Sequence, residues 1–147
     1  ARLAGKLKLA VAKTSVLKHE AGTFLLVERY DRLDGHRVHQ EDFCQALGYV
    51  PNDKYQSNGG PGYKECYSLL REHATNPAEA VNAFTRAVLF NLLIGNNDAH
   101  AKNFSLLHYI DGTTVFAPLY DLVSTEIYQQ FRNGDMAMKF GVTYDFK

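Results

Sequence analysis

Residues 77–94 read PAEAVNAFTRAVLFNLLI, and no other stretch restricts the fold as much. Apolar side chains at Val81, Phe84, Val88, Leu89, Leu92 and Leu93 cover nearly every side of the expected helix. A helix that is greasy all round belongs in the centre of a domain. Its start is legible too: Asn76 can cap, Pro77 suits the first helical position, and Glu79 can reach back to the cap. The helix runs to about Ile94, and Gly95 ends it. The chain then reads IGNNDAHAKNF. One Gly and one Asn are enough to leave a helix, yet this turn carries three Asn, an Asp, a His and a Lys.

After the turn, FSLLHYI and TTVFAPL flank Asp111-Gly112. An Asp-Gly pair between apolar runs predicts a two-residue hairpin. If Ile110 faces Thr113, Asn103 faces Tyr120, and facing Cα atoms lie about 4.5–5.5 Å apart. The hairpin then carries Asn103 to the neighbourhood of Asp121, and residues distant in sequence share one end of one ribbon.

The rest of the chain frames that unit. LKLAVAKTSVLK and TFLLVERY read as two strands joined around His19-Glu20-Ala21-Gly22. Gln40 to Leu47 has helical spacing and stops at Gly48. Pro51 to Gly62 is a loop rich in Asn, Gly and Pro, Tyr63 to His73 a second helix, and MAMKFGVTYDFK an alternating stretch at the end. With 147 residues and 46% hydrophobic content, the chain can bury a core as one domain. Its net charge of zero gives no electrostatic reason to expect direct nucleic-acid or anionic-membrane binding. Cys44 and Cys66 lack metal-type spacing and read as reduced cytoplasmic thiols, with Cys44 in the core. The sequence shows no membrane-length apolar run and no secretory signal. The absence of an initial Met and the abrupt end suggest a piece of a longer protein.

At the mouth of the hairpin the chemistry-bearing residues are Asp98, His100, Lys102, Asn103 and Asp121. An Asn beside a carboxylate offers hard oxygen ligands for Mg²⁺. A second carboxylate five residues before the Asn could orient a hydroxyl or accept its proton. Asp-x-x-x-x-Asn followed by a later Asp is the layout of protein-kinase phosphoryl transfer. Asn and Asp are also ordinary turn formers, so spacing alone leaves the structural reading open.

LLIGNNDAHAKNFSLL followed by PLYDLVST resembles the HipA-like serine/threonine kinases, the toxin half of bacterial toxin–antitoxin pairs. LLVERYDR and RVHQEDFCQALGYVPNDKYQSNGGPG are similar to two further stretches of that family, in the family's order. The resemblance implies an α+β, protein-kinase-like fold: a mostly helical C-lobe, a β-hairpin carrying the catalytic and metal-binding ends, and part of the N-lobe sheet. It makes residues 1–147 a partial C-terminal kinase domain. It implies transfer of the ATP γ-phosphate to a protein hydroxyl, with Asp98 as catalytic carboxylate and Asn103 and Asp121 holding Mg²⁺. Glu28, Arg29 and Tyr30 would be the hinge, whose backbone groups bind adenine. Asp31 and Gln40 would lie near the sugar, and His100 and Tyr120 at the phosphate end. It also implies a protein substrate, a small HipB-like DNA-binding antitoxin as partner, and a bacterial cytoplasmic location.

The chain departs from a full kinase pattern as well. Asp121 is followed by Leu122-Val123-Ser124, so the DFG motif is absent. No Gly-rich loop precedes Leu25, and Lys6, Lys8, Lys13 and Lys18 read as solvated strand-edge lysines. The phosphate-covering loop, the Lys that pairs with the α/β-phosphates and the C-terminal helices of the family are not found here, so this piece alone is expected to be inactive. Asn58 to Gly62 precedes no strand–turn–helix and reads as a mobile surface loop facing substrate. His36, His39 and His73 read as solvated or capping residues, and Tyr63, Tyr67, Tyr109 and Tyr128 as packing. Two other functions compete. A pseudokinase would have no need of Asp98, Asn103 and Asp121 together. A metal-dependent phosphohydrolase would use Asp98, His100 and Asp121 as ligands.

Overall fold

The computed structural model describes residues 1–131 and 134–144. Its elements, in chain order, are α1 (Arg2–Lys6), β1 (Thr14–His19), β2 (Gly22–Val27), β3 (Arg32–Leu33), β4 (His36–Arg37), β5 (His39–Asp42), α2 (Phe43–Ala46), α3 (Tyr63–His73), α4 (Pro77–Leu93), β6 (Ser105–His108) and β7 (Thr114–Phe116). The fold is mixed, with three small antiparallel sheets: β1-β2, β3-β4 and β5-β6-β7.

The apolar helix α4 is central. Asn76 caps it through the Glu79 amide, and Ala80, Phe84, Ala87, Val88 and Phe90 are buried along it. Phe84 is wholly buried, and its ring meets those of Phe43, Tyr63, Tyr67, Phe104 and Phe116 at centroid distances of 5.0–6.2 Å. These partners come from α2, α3, the turn before β6, and β7, so one ring binds the helices to the sheet. Cys44 and Cys66 lie in the same core as free thiols. Burial pushes Cys44 up to about 11 and Cys66 higher still.

Several expected boundaries move. The first strand begins at Thr14, because Leu7 closes α1, Lys8 turns with φ of 57°, and the next residues serve another partner. Ala12 N–H donates to Leu119 C=O and Leu119 N–H to Ala10 C=O. Lys6 therefore sits on a helix and Lys8 in a turn; only Lys13 and Lys18 lie at or on the ribbon. Gln40 belongs to β5 and not to a helix. Asp42 stops the strand by forming a reciprocal cap with Gln45, which starts α2 at Phe43. The segment from Met136 to Lys139 is not a strand; Met136, Ala137 and Met138 are buried and packed under the 51–62 loop. Asp145, Phe146 and Lys147 of that stretch lie outside the described residues.

The Asp111-Gly112 hairpin forms, but with a three-residue loop. Tyr109 N–H donates to Thr113 C=O, Gly112 takes φ of 84°, and Asp111 Oδ1 accepts the Thr113 N–H. The register becomes Leu106↔Phe116 and His108↔Thr114, one residue from the expected pairing. Ile110 is thereby fully exposed at the tip. The tight two-residue turn occurs instead between β3 and β4, where Asp34 and Gly35 both have positive φ.

The packing around Phe84 yields a stability prediction. Phe84→Ala should cost about 3–5 kcal/mol, the usual range for emptying a buried aromatic site. Urea unfolding followed by circular dichroism checks it; a cost below about 1 kcal/mol would mean that this ring is not the hub.

Candidate active site

The polar turn after α4 is fastened by its asparagines, to the helix behind it and to the segment 121–126. Asn91, buried on α4, donates from Nδ2 to Ala87 C=O and accepts at Oδ1 from Asn96 Nδ2 at 2.7 Å. Asn96 Nδ2 also reaches the Asp121 carbonyl at 3.4 Å. Asn97 donates from its backbone N–H to Thr125 Oγ1 and from Nδ2 to Glu126 Oε1. Gly95 is required here twice over. Its φ is +65°, and a Cβ would stand 2.4 Å from Glu126 Cγ. A short 3₁₀ turn, Ala101–Asn103, then leads into β6.

Asn103 closes the turn at the other end. Its Oδ1 accepts the His100 N–H at 3.0 Å, and its Nδ2 donates to Asp121 Oδ2 at 2.8 Å. Asn103 is buried while the Asp121 side is open to solvent. Asp121 has φ of 55°, rare for a non-glycine, and is held there by hydrogen bonds to its carbonyl and its carboxylate. The expected meeting of Asn103 and Asp121 therefore occurs, although the register that predicted it is displaced by one residue.

Asp98 borders the same place. It is exposed, and its Oδ1 accepts a 2.7 Å hydrogen bond from the Tyr55 hydroxyl. His100 lies beneath, buried, its ring edge-on to Tyr55 at 5.3 Å. Burial pushes the His100 pKa down, and the nearby Lys54 charge pushes the same way; Asp98 and Asp121 pull weakly against both. His100 is thus neutral at pH 7, and its Nδ1 is buried without a partner among the described residues. A buried orphan of this kind is costly unless a ligand atom or water meets it.

Above these residues sits an aromatic and hydroxyl layer. Tyr30 and Tyr120 rings lie 6.1 Å apart. Tyr120 OH donates to Lys102 C=O at 2.6 Å and is 2.7 Å from Ser105 Oγ, which accepts from Gln40 Nε2. Burial pushes Tyr30 up to about 12 and Tyr120 beyond that, so both stay protonated. Glu28 pairs with Lys13 at 3.2 Å, both exposed, and the Glu28 N–H donates to Lys13 C=O. The Glu28 carbonyl and Tyr30 N–H have no partner among the described residues. Asp31 is buried, with Arg29 Nε on Oδ1 at 2.7 Å and Arg29 and Arg32 guanidinium groups on Oδ2. The Arg29 hydrogen bonds, with Arg32 beside them, hold Asp31 down near about 2. A nucleotide sugar would have to share those oxygens.

The 51–62 loop is built into the site and is not a free surface loop. Gly60 N–H donates to Tyr55 C=O, Gln56 N–H to Ala137 C=O, and Lys139 N–H to Gln56 Oε1. Sequence reasoning missed Tyr55, Lys54, Asn91 and Asn96. The signal for Asn91 was present, an amide on an otherwise apolar helix; nothing in the sequence links Tyr55 to Asp98.

Among the described residues no three His, Cys, Asp or Glu side chains converge as a metal cluster, so the phosphohydrolase set of Asp98, His100 and Asp121 is not assembled. Asn103 turns Nδ2 to Asp121 and Oδ1 to the His100 N–H, so a Mg²⁺ ion here would take the Asp121 carboxylate and the remaining lone pair of Asn103 Oδ1, with water and phosphate oxygens as its other ligands. A cavity of about 400 Å³ lies elsewhere, between α4 and β7, lined by Lys8, Asn76, Glu79, Arg86 and Phe116 among others; Asp98, His100, Asn103 and Asp121 do not line it.

Small sheets packed on a buried helix, with this hairpin and polar turn, make a mixed α/β domain whose fold is consistent with the protein-kinase-like class. The Helicobacter pylori proinflammatory kinase CtkA has a similar fold, with TM-score 0.59 at 13% identity over 94% of this chain and 54% of that one. The chain belongs to the HipA-like C-terminal domain family, which matches residues 1–147. It is 50% identical to the putative kinase Y4mE of Sinorhizobium fredii, over 95% of this chain and 34% of that protein. It is 35% identical to the serine/threonine-protein kinase toxin HipA of Shewanella oneidensis, over 98% of this chain and 36% of that protein. The structure of that organism's HipA with HipB and operator DNA matches with TM-score 0.89 at 34% identity, over 98% of this chain and 37% of that one. The chain therefore spans about a third of the length of these curated relatives.

The state of His100 can be measured. Its imidazole should titrate below the ordinary value of about 6.5. The unfolded chain then binds the proton first, so this contribution to stability is full above about pH 6.5 and falls as pH drops toward the folded value. Nitrogen-15 NMR of the ring, with urea unfolding at pH 5.5 and 7.5, tests both points. A midpoint above 6.5 would show that burial does not dominate.

Proposed function

We propose that this chain is the catalytic-loop portion of a Mg²⁺-dependent serine/threonine protein kinase of the HipA-like toxin class. The observation that carries the reading is the Asn103–Asp121 hydrogen bond, with Asp98 on the same turn. Asn103 and Asp121 would hold Mg²⁺, which when bound neutralises charge on the phosphates. Glu28 to Tyr30 would meet adenine through the open Glu28 carbonyl and Tyr30 N–H. Asp31 and Gln40 would lie on the sugar side, with the hinge residue Arg29 held on Asp31. His100, neutral, and Tyr120 would line the phosphate end.

In the reaction, the substrate hydroxyl oxygen forms a bond to the γ-phosphorus as the bond to the β–γ bridging oxygen breaks, and ADP leaves. Asp98 orients that hydroxyl and accepts its proton. The protein acceptor is a serine or threonine, as the name of the Shewanella relative suggests. That relative is seen with HipB and operator DNA. A HipB-like antitoxin is accordingly our proposed partner, and the zero net charge agrees with leaving DNA contact to it. A bacterial cytoplasmic location follows from the same reading; no helix of the described residues is long and apolar enough to cross a membrane.

Two experiments test the assignment. In the full-length parent, Asp121→Asn should weaken Mg·ATP binding and abolish transfer. Asp98→Asn should keep nucleotide affinity and lower turnover at least about a hundredfold; normal turnover would remove Asp98 from the role of base. The 147-residue chain itself should bind Mg·ATP weakly or not at all and transfer no phosphate, since it has no Gly-rich loop ahead of Leu25. Calorimetry on this chain and on the parent decides that, and tight binding by the chain alone would overturn it.

A further inference from the structure

Asp98 is exposed, and the Tyr55 hydroxyl is the one side-chain partner that the described residues give it. An exposed carboxylate turns broadly about its last torsion, so a lone Asp is a poorly aimed acceptor. Tyr55 removes that freedom from a distance of 43 residues in sequence. Its own position is over-determined. The backbone is held by Gly60 N–H on the Tyr55 carbonyl, and Gly60 admits no side chain, since a Cβ would stand 2.1 Å from the Asp53 oxygen. The ring rests edge-on against His100, with Lys54 Nζ 4.7 Å from its centroid. Gln56 hydrogen-bonds to Ala137, and Ala137 N–H donates to Asn97 C=O, which returns to the catalytic turn one residue before Asp98.

We propose that Tyr55 is a positioning residue for phosphoryl transfer: its hydroxyl holds Asp98 Oδ1, fixes the plane of the carboxylate, and leaves Oδ2 for the incoming substrate hydroxyl. The inference rests on Asp98 being the proton acceptor. The division of labour is chemical. A carboxylate has two oxygens, and one fixed by a short phenol bond directs the other. The phenol must stay protonated to donate, and burial together with the Asp98 bond raises its pKa above the ordinary value. The same bond ties the GGPG-containing loop to the turn, so the loop reports its position to the acceptor group. A Phe at 55 keeps the ring contacts to His100 and Lys54 and deletes only the donor, which makes it the discriminating change.

The test uses the full-length parent protein with γ-labelled ATP, reading label passed to casein or released to water. Tyr55→Phe should lower kcat about tenfold, the worth of one hydrogen bond to a charged group. KM for ATP and the thermal midpoint should stay at the wild-type values. In an Asp98→Asn background the same change should have no further effect, because a residue that acts through Asp98 loses its lever when Asp98 is gone. Wild-type turnover by Tyr55→Phe, or an equal loss in both backgrounds, overturns the proposal. If Tyr55→Ala is impaired while Tyr55→Phe is not, the ring packs and does not position, which also overturns it. Full turnover by Asp98→Asn alone sinks the assignment of Asp98 instead, a result distinct from any failure of Tyr55.

Discussion

Buried polar groups must be hydrogen-bonded, and at the C-terminal end of α4 that requirement organises everything around it. The helix is apolar enough to be buried on nearly all sides, so its last turn delivers backbone carbonyls and an amide side chain into a region with little water. Asn91 and Asn96 satisfy each other there, and the pair reaches the carbonyl of Asp121. Asn97 reaches Thr125 and Glu126, and Asn103 reaches Asp121 and His100. The Asn91 and Asn103 amides each donate and accept, while Asn96 and Asn97 donate from Nδ2. An aspartate offers no donor and a serine only one, whereas Asn96 Nδ2 reaches both Asn91 Oδ1 and the Asp121 carbonyl.

That network has a mechanical consequence. Asp121 occupies a left-handed backbone conformation that costs roughly 1–2 kcal/mol for a residue with a side chain. The cost is offset by contacts at both its carbonyl and its carboxylate. The geometry of the acidic site is thus maintained by the polar turn, which is itself anchored to the core helix through Asn91. Catalysis by phosphoryl transfer depends mainly on such positioning. By contrast, the β1-β2 ribbon stands out from the body with Val16, Leu25 and Val27 exposed. A two-stranded ribbon has little stability of its own. The chain on either side of it joins the body through the Ala12 N–H on Leu119 C=O, the Leu119 N–H on Ala10 C=O and the Val38 N–H on Asp31 C=O.

The legible parts of the fold were those specified by adjacent residues. Asn76, Pro77 and Gly95 mark both ends of α4, and the structure keeps them. The two Asp-Gly pairs show where such reading stops. At Asp34-Gly35 the dipeptide makes the tight turn with both φ angles positive; at Asp111-Gly112 it makes a wider loop, with Asp111 capping Thr113. The difference comes from the strands and not from the dipeptide. Thr75, just before α4, hydrogen-bonds to both the N–H and the C=O of Thr114, which pins β7 in its register. Gln40 is a similar case. Its helical spacing is real, but β6 offers its backbone a partner, and the Asp42–Gln45 cap delays the helix by one turn.

The sequence by itself determined that a buried helix leads into a polar turn, that Asp98, Asn103 and Asp121 lie in or beside it, and that the chain resembles one kinase family. The first two follow from composition, spacing and local turn chemistry, which need no distant partner; the third rests on LLIGNNDAHAKNFSLL and PLYDLVST as they stand in the chain. Only the tertiary structure decided how the carboxylates are aimed. Tyr55 arrives at Asp98 from a separate loop, Asn91 supports Asp121 through Asn96, and His100 is kept neutral by burial and by the Lys54 charge. Hydrogen-bond direction and desolvation depend on which atoms surround a group in space. A one-dimensional pattern carries no record of that until the chain has packed.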